Sequence, residues 1–392
     1  MNENGSATAI LSFGTAVPQY RFSQKTIGEW IANSFPSQPT CARWLRGLYA
    51  AAGVETRYTS IPDFGMSPLE TRYSPGYKGS DVPRTAERMV IYQRESVAHG
   101  VAAARRALAD YSSDEPSEQV AASITHLIVV SCTGFFAPGP GMAIARQLGL
   151  SPTVKHTLIG FMGCGAAFNG LRTAAQIVAD QPEARVLVIC IEISSIHVQP
   201  GFDRNITIAD ALFGDGSAAC LVGAAAPDGR DRFALDAFHS EVVPNTTQEL
   251  VWTIGDHGFI LRLSPEIPRH LGEHAPRALA TLLAGLPLPQ FWAVHPGGPA
   301  TVKRLAEVFH LQPEHLTPTY DILRDYGNMS SGTILFVLQK VHDRLRRKGG
   351  VQALPGVAVG FGPGLVIEMA HLTYFPALDP APALTRKAYV VA

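Results

Sequence analysis

Four short apolar runs break the mixed background of this chain: ITHLIVVS (124–131), ARVLVICIEI (184–193), FWAVH (291–295) and GVAVGF (356–361). They are dense, largely without polar alternation and mostly rich in β-branched residues, so each predicts a strand buried on both faces. Between them apolar positions recur at helical spacing: from about Arg84 to Asp110, Gly165 to Asp180, Ala300 to Phe309 and Ser330 to Lys348. Such alternation predicts an α/β fold, a partly parallel sheet covered by helices. The small and turn-forming residues of GAAAPDGRDR (223–232) predict a seam, dividing the chain into halves 1–226 and 227–392. Residues 60–85, rich in Pro, Gly, Ser and Tyr, predict an irregular excursion, and the prolines of FPALDPAPALTRK predict a loosely held tail.

Composition narrows the function. Of the 392 residues, 46% are hydrophobic and 17% charged, which supplies a buried core and excludes general disorder. Lys+Arg number 32 against 33 Asp+Glu, so the basic excess of a nucleic-acid binder is missing. Five cysteines, an odd number with no CxxC pair, argue against a disulfide scaffold and against a zinc site. The start, MNENGSATAILSFG, lacks the positive n-region of a signal peptide. No apolar run reaches the roughly 18 residues of a membrane span. The expected compartment is the cytoplasm.

Three residues carry candidate chemistry. Cys164 follows the strand-like TLIGF and opens a helix at Gly165-Ala166-Ala167. Backbone N–H groups and the helix dipole favour an anion there, which activates a thiol and offers an oxyanion hole. The bland alternative is a buried cysteine acting as a small hydrophobe. His295 ends a strand before Pro296-Gly297-Gly298-Pro299, where α/β proteins build their sites; it competes with twelve other histidines. Asn328 reads as a helix cap or as a neutral amide donor beside a developing enolate. A long-range echo links two of the three: GFMGCGAAFNGL (160–171) and YGNMSSGTILFVL (326–338) share a turn followed by a helix of small residues. If the halves are related by a pseudo-twofold axis, these turns face one another. The glycine turns Phe213-Gly214-Asp215-Gly216 and Gly360-Phe361-Gly362-Pro363-Gly364 lack the spacing of a dinucleotide or phosphate cradle.

In this order, the Cys164 turn, FGDGSAA, WAVHPGGP, YGNMSSG and GFGPG closely resemble the type III polyketide synthases, the chalcone-synthase-like family of the thiolase fold, from about residue 8 to residue 374. HPGGP and GFGPG separate this family from the ketoacyl synthase III enzymes. The resemblance implies an αβαβα fold of two pseudo-symmetric halves, each with a five-stranded sheet, in a homodimer. It implies that Cys164 carries the acyl chain as a thioester, and that His295 and Asn328 stabilise the enolate left when malonyl-CoA loses CO2. His295 would also hold Cys164 as a thiolate. Phe213 matches a gatekeeping aromatic, and no metal or redox cofactor is expected.

Departures from the plant pattern bear on substrate. The second gatekeeping phenylalanine falls at Leu261, and cavity-lining positions fall at Cys132, Thr133, Ser194, His197 and Ser330. Ala137 replaces a methionine that in plant members reaches across the dimer interface, and Arg57 is placed to contact the CoA phosphates. The expected reaction is iterative condensation of malonyl-CoA onto a medium- or long-chain acyl-CoA starter, closing to an alkylpyrone or an alkylresorcinol. A synthase using malonyl-CoA as starter and extender, a single-condensation enzyme and an inactive scaffold are the rivals.

Overall fold

The computed structural model describes residues 7–111, 116–225, 230–377 and 389–391. The main sheet takes β1 (Thr8–Pro18), β2 (His126–Ser131), β3 (Lys155–Gly160), β4 (Val186–Glu192) and β5 (Gly216–Ala224) from the first half. The second half adds β6 (Arg232–Val242), β7 (Phe291–Val294), β8 (Leu354–Gly362) and β9 (Val366–Phe375), and the short β10 (Tyr389–Val391) pairs with β1. The order across the sheet is β7-β8-β9-β6-β1-β5-β4-β2-β3.

The two halves repeat one pattern. In the first, β2 runs parallel to β4, and antiparallel pairs then join β4 to β5 and β5 to β1. In the second, β7 runs parallel to β8, and antiparallel pairs join β8 to β9 and β9 to β6. Only Ala9–Ala234 and Ile10–Phe233 pair across the junction. Among the described residues β3 has no counterpart strand in the second half, which corrects the expected two five-stranded sheets. There the helix Pro299–Val308 passes through the short link Phe309–Gln312, which has no β-branched run, into a helix opened by Pro313.

Three helices explain the layering: α1 (Thr85–Tyr111), α2 (Ala166–Asp180) and α3 (Thr333–Lys348). One core cluster joins Phe168, Leu171 and Val178 of α2 to Ile334, Phe336 and Val341 of α3, together with inward residues of both half-sheets. α3 is apolar on every side over Thr333–Leu338, which is the pattern of a helix sunk in a core. A second cluster packs α1 against the other face of the first half-sheet. A third packs Ile267–Leu282 and Pro299–Val308 against the second. The result is helix, sheet, central helices, sheet, helix.

The predicted strands and helices are present within a few residues. The sequence reading overlooked β1 and β5, whose Gly, Ala and Ser content dilutes the apolar signal, and β6 and β9, which Asp236, His239, Glu368 and His371 interrupt. Residues 226–229 of the predicted seam, and 378–388 of the predicted tail, lie outside the described residues; β10 beyond them is paired to β1. Residues 60–85 hold only a short 3-10 turn, Asp63–Gly65, before α1. Among the described residues no helix is long and apolar enough to cross a membrane.

Candidate active site

The two echoing segments are structural counterparts. After β3 the chain takes positive φ at Phe161 (56°) and Gly163 (65°), makes the 3-10 turn Gly163–Gly165 and enters α2. The second copy takes positive φ at Ser330 (47°), makes the turn Ser330–Gly332 and enters α3. Met162 (φ −98°) and Met329 (φ −97°) precede the turns in nearly the same conformation. Gly163 therefore matches Ser330, Cys164 matches Ser331, and Gly165 matches Gly332. A Cβ on Gly163 would lie 2.2 Å from Pro363 Cδ, so glycine alone lets GFGPG close over the nucleophile turn.

The facing turns bring the predicted residues together. Cys164 Sγ lies 3.7 Å from Ser330 Oγ and 3.9 Å from Asn328 Nδ2. Asn328 Oδ1 accepts from the Ser330 N–H (2.8 Å) and from Thr333 Oγ1 (3.3 Å). Those donors fix which end of the amide is oxygen, so Nδ2 faces the sulfur. Asn328 thus braces its own turn and still presents a donor to the site. His295 continues from β7, its N–H bound to Val359 O (2.8 Å) and its ring edge-on to Phe361 at 5.7 Å. Both ring nitrogens are buried without a partner. Each costs roughly 1–3 kcal/mol while it stays unpaired, a cost that a bound acceptor would recover.

Burial governs the protonation states. It pushes the Cys164 thiol up to about 12, against the lowering effect of Ser330 and Asn328, and pulls the His295 imidazole down to about 3. Burial therefore disfavours the charged form of either group taken alone.

Glu192 was missed by sequence reasoning. It is fully buried at the end of β4 and accepts from the Cys132 N–H (3.0 Å), from Thr133 Oγ1 (2.9 Å) and from Ser331 Oγ. Burial raises its carboxyl to about 7 despite these donors. It ties the segment after β2 to the counterpart turn of the nucleophile. The available signal was an acidic residue inside an otherwise apolar strand, ICIEI.

Cys164 and Asn328 open on a cavity of about 30 Å³, which Cys132, Thr133, Ser194, Phe213, Leu261 and Ser330 also line as expected. Trp252 and Phe361 line it without having been anticipated. Trp252 donates from Nε1 to Cys132 O (2.7 Å), which pins the largest ring in the wall. A second cavity of about 280 Å³ shares Gly297, Leu263 and Phe361 with the first and continues past Leu212 and Pro265.

Two expected site residues are placed elsewhere. His197 stands behind the wall: Nε2 bonds Thr133 O (2.8 Å), Nδ1 accepts from the Phe259 N–H (3.0 Å), and its ring stacks on Phe259 at 4.5 Å. Both nitrogens are thus committed to structure. Arg57 is 3% exposed beneath the Phe213 turn and donates to the carbonyls of Asp210 and Phe213, so it is not free to reach CoA phosphates. Among the described residues no group of three or more His, Cys, Asp or Glu is placed to hold a metal.

Comparison with known proteins defines the class. Residues 1–226 match the chalcone and stilbene synthase N-terminal domain, and residues 234–375 match the C-terminal domain. The type III polyketide synthase 21 of Oryza sativa subsp. japonica is 31% identical over 92% of each chain. The alpha-pyrone synthesis polyketide synthase-like Pks18 of Mycobacterium tuberculosis is 28% identical over 93% of this chain and 90% of its own. The crystal structure of PKS-I from the brown alga Ectocarpus siliculosus superposes with a TM-score of 0.84 at 29% identity, over 95% of this chain and 99% of that one. The type III domain of Steely1 from Dictyostelium shares the fold at the same TM-score and 24% identity, covering 94% of this chain and 99% of its own. The chain belongs to the chalcone and stilbene synthase family. It is a type III polyketide synthase of thiolase-like fold, an acyltransferase that condenses malonyl-CoA units.

Alkylation of Cys164 reports how readily its thiol gives up a proton. His295→Gln should slow iodoacetamide alkylation of Cys164 at pH 7 by at least about tenfold, because the proton acceptor is gone. In the variant the rate should climb with pH up to 10. Alkylation unchanged from wild type would remove His295 from thiol activation.

Proposed function

We propose that the enzyme loads an acyl-CoA starter on Cys164, extends it with malonyl-CoA, and releases the chain as a pyrone. The observation that carries this reading is the Cys164–Asn328 approach in an apolar cavity bounded by Phe213 and Phe361, the latter edge-on to a His295 ring whose nitrogens are unpartnered. Transfer of the acyl group to Cys164 breaks the C–S bond of the CoA thioester and frees CoA. Loss of CO2 from malonyl-CoA leaves an enolate whose oxygen takes hydrogen bonds from Asn328 Nδ2 and from the His295 ring N–H. Neutral donors suit this step, since an imidazolium would quench the carbanion by protonation. The Phe213 face disfavours the carboxylate and favours neutral CO2. The enolate carbon then attacks the Cys164 thioester, returning the sulfur as leaving group and lengthening the chain by two carbons.

The α-pyrone named for the mycobacterial relative supports lactone release. The apolar lining by Leu250, Leu261 and Leu263 supports an aliphatic starter. We further propose that CoA thioesters enter through the larger cavity, that no metal or redox cofactor takes part, and that the chain divides into two duplicated halves at 226/227.

A second reading has its own observation. About 30 Å³ between Trp252 and Phe213 holds little more than a water molecule or two, which favours a short starter, malonyl-CoA itself included. Mass spectrometry of products from malonyl-CoA, alone and with a ladder of acyl-CoA starters, separates the two. Alkylpyrones appearing only with added starters support the first reading. A product indifferent to starter replaces it with the second. Trp252→Gly should lengthen the longest accepted starter by two or more carbons; an unchanged ladder would take the Trp252 ring out of the size limit.

We also propose a homodimer. β3 is the outer strand of the sheet, and Leu158 on it, with Phe135, Met142 and Met162 nearby in sequence, is 37–54% exposed. An open edge with apolar neighbours is a pairing surface. Sedimentation should give twice the 42.0 kDa chain mass, and Leu158→Pro should shift it toward one chain. A monomeric wild type would refute the assignment.

A further inference from the structure

Arg57 lies on the short strand Thr56–Thr59, paired with Tyr20–Ser23, and its side chain is directed into the protein. Nη1 donates to Asp210 O at 2.5 Å and to Phe213 O at 2.6 Å, while Nε and Nη2 are buried without partners. The guanidinium sits 5.6 Å from the centre of the Tyr49 ring. Burial opposes the cation, while Tyr49 and then Asp210 and Asp215 favour it. Keeping a partly unsatisfied cation here is costly, so what it holds matters.

It holds two turns at once. The Phe213 peptide group pairs with Asn328: Asn328 donates its N–H to Leu212 O and Gly214 donates to Asn328 O, both at 2.9 Å. The two turns close on each other with no room for side chains at their glycines: a Cβ on Gly327 would lie 2.8 Å from Leu212 O and 3.2 Å from Arg57 Cγ and Cδ, and one on Gly214 2.7 Å from Tyr326 O. Gly327 has φ +73°, so the close approach and the backbone both require glycine. The nucleophile is supported separately, by the Gly163–Gly165 turn against Pro363 and Phe361.

We propose that Arg57 is a positioning residue which, by holding the Phe213 carbonyl, keeps the gatekeeping ring and the Asn328 amide in one fixed relation and thereby sets the decarboxylation step. This rests on the function proposed above. Asn328 touches the reacting oxygen and Phe213 faces the departing carboxylate; Arg57 touches neither and acts through both. Asn328 Nδ2 lies 3.9 Å from the Cys164 sulfur, but the nucleophile turn packs on Pro363, so loading is expected to depend less on this clamp.

The test compares Arg57→Met and Arg57→Lys with wild type in four measurements: malonyl-CoA decarboxylation, acyl loading of Cys164 by intact mass, iodoacetamide alkylation of Cys164, and Tm. Arg57→Met should lower the kcat of decarboxylation by about 30-fold or more, with loading within about threefold of wild type. Arg57→Lys, which keeps one donor, should recover part of the loss. Alkylation should rise about threefold in Arg57→Met as the gate loosens. Decarboxylation and loading falling together with Tm, without recovery by lysine, would reduce Arg57 to a fold residue and overturn the proposal; so would a methionine variant equal to wild type. If the methionine variant does not fold, the lysine variant must show a smaller split in the same direction, and equal losses refute it. A wild type that does not decarboxylate malonyl-CoA refutes the function instead. Alkylation then decides on Arg57, a rise supporting the clamp and no change overturning it.

Discussion

Everything at this site depends on two central helices, α2 and α3, whose opening turns meet between the half-sheets. Each is buried on most sides, so each must begin in a turn that satisfies its own backbone without solvent. The solution is the same twice, a positive-φ residue, a 3-10 turn and a helix of small or apolar residues. Duplication places the two turns face to face, and the face they share is the cavity floor. One copy contributes Cys164. The other contributes the amide, held in orientation by its own turn.

The same burial determines the chemistry. A dry pocket raises the thiol and lowers the imidazole, so burial opposes charge on either group. In that state the hydrogen-bond donors face a small apolar space, which suits a developing enolate better than a formed carboxylate. Electrostatic stabilisation of this kind needs donors that do not reorganise. Asn328 meets the requirement through Ser330 and Thr333. Glu192 connects the segment after β2 to the second turn from beneath.

Around this centre the wall is built from the hairpin Leu250–Gly255 and Gly258–Leu263 and from the segment after β2. Trp252 and His197 are the two struts that tie them, one through Cys132 O and the other through Thr133 O and the Phe259 N–H. His197 therefore shapes the cavity without lining it. The space that remains is set by aromatic side chains whose polar atoms are committed to backbone, so its size resists casual change.

The sequence by itself determined the α/β alternation, the long buried helices and the duplicated turn, because each leaves a local periodic or glycine signature. With the family resemblance it also marked Cys164, His295 and Asn328. Strands β1 and β5 were harder to read because small residues weaken the apolar count, and β6 and β9 because polar residues break it. Tertiary structure alone decided the rest. That Arg57 turns inward, that His197 stands behind the wall and that Trp252 fills it depend on contacts between segments 60 to 160 residues apart, which no local pattern records. The missing fifth strand of the second half is likewise a matter of how the chain crosses between helices. Protonation state belongs to the same class: burial, not residue type, moves Cys164 and His295 away from their ordinary values.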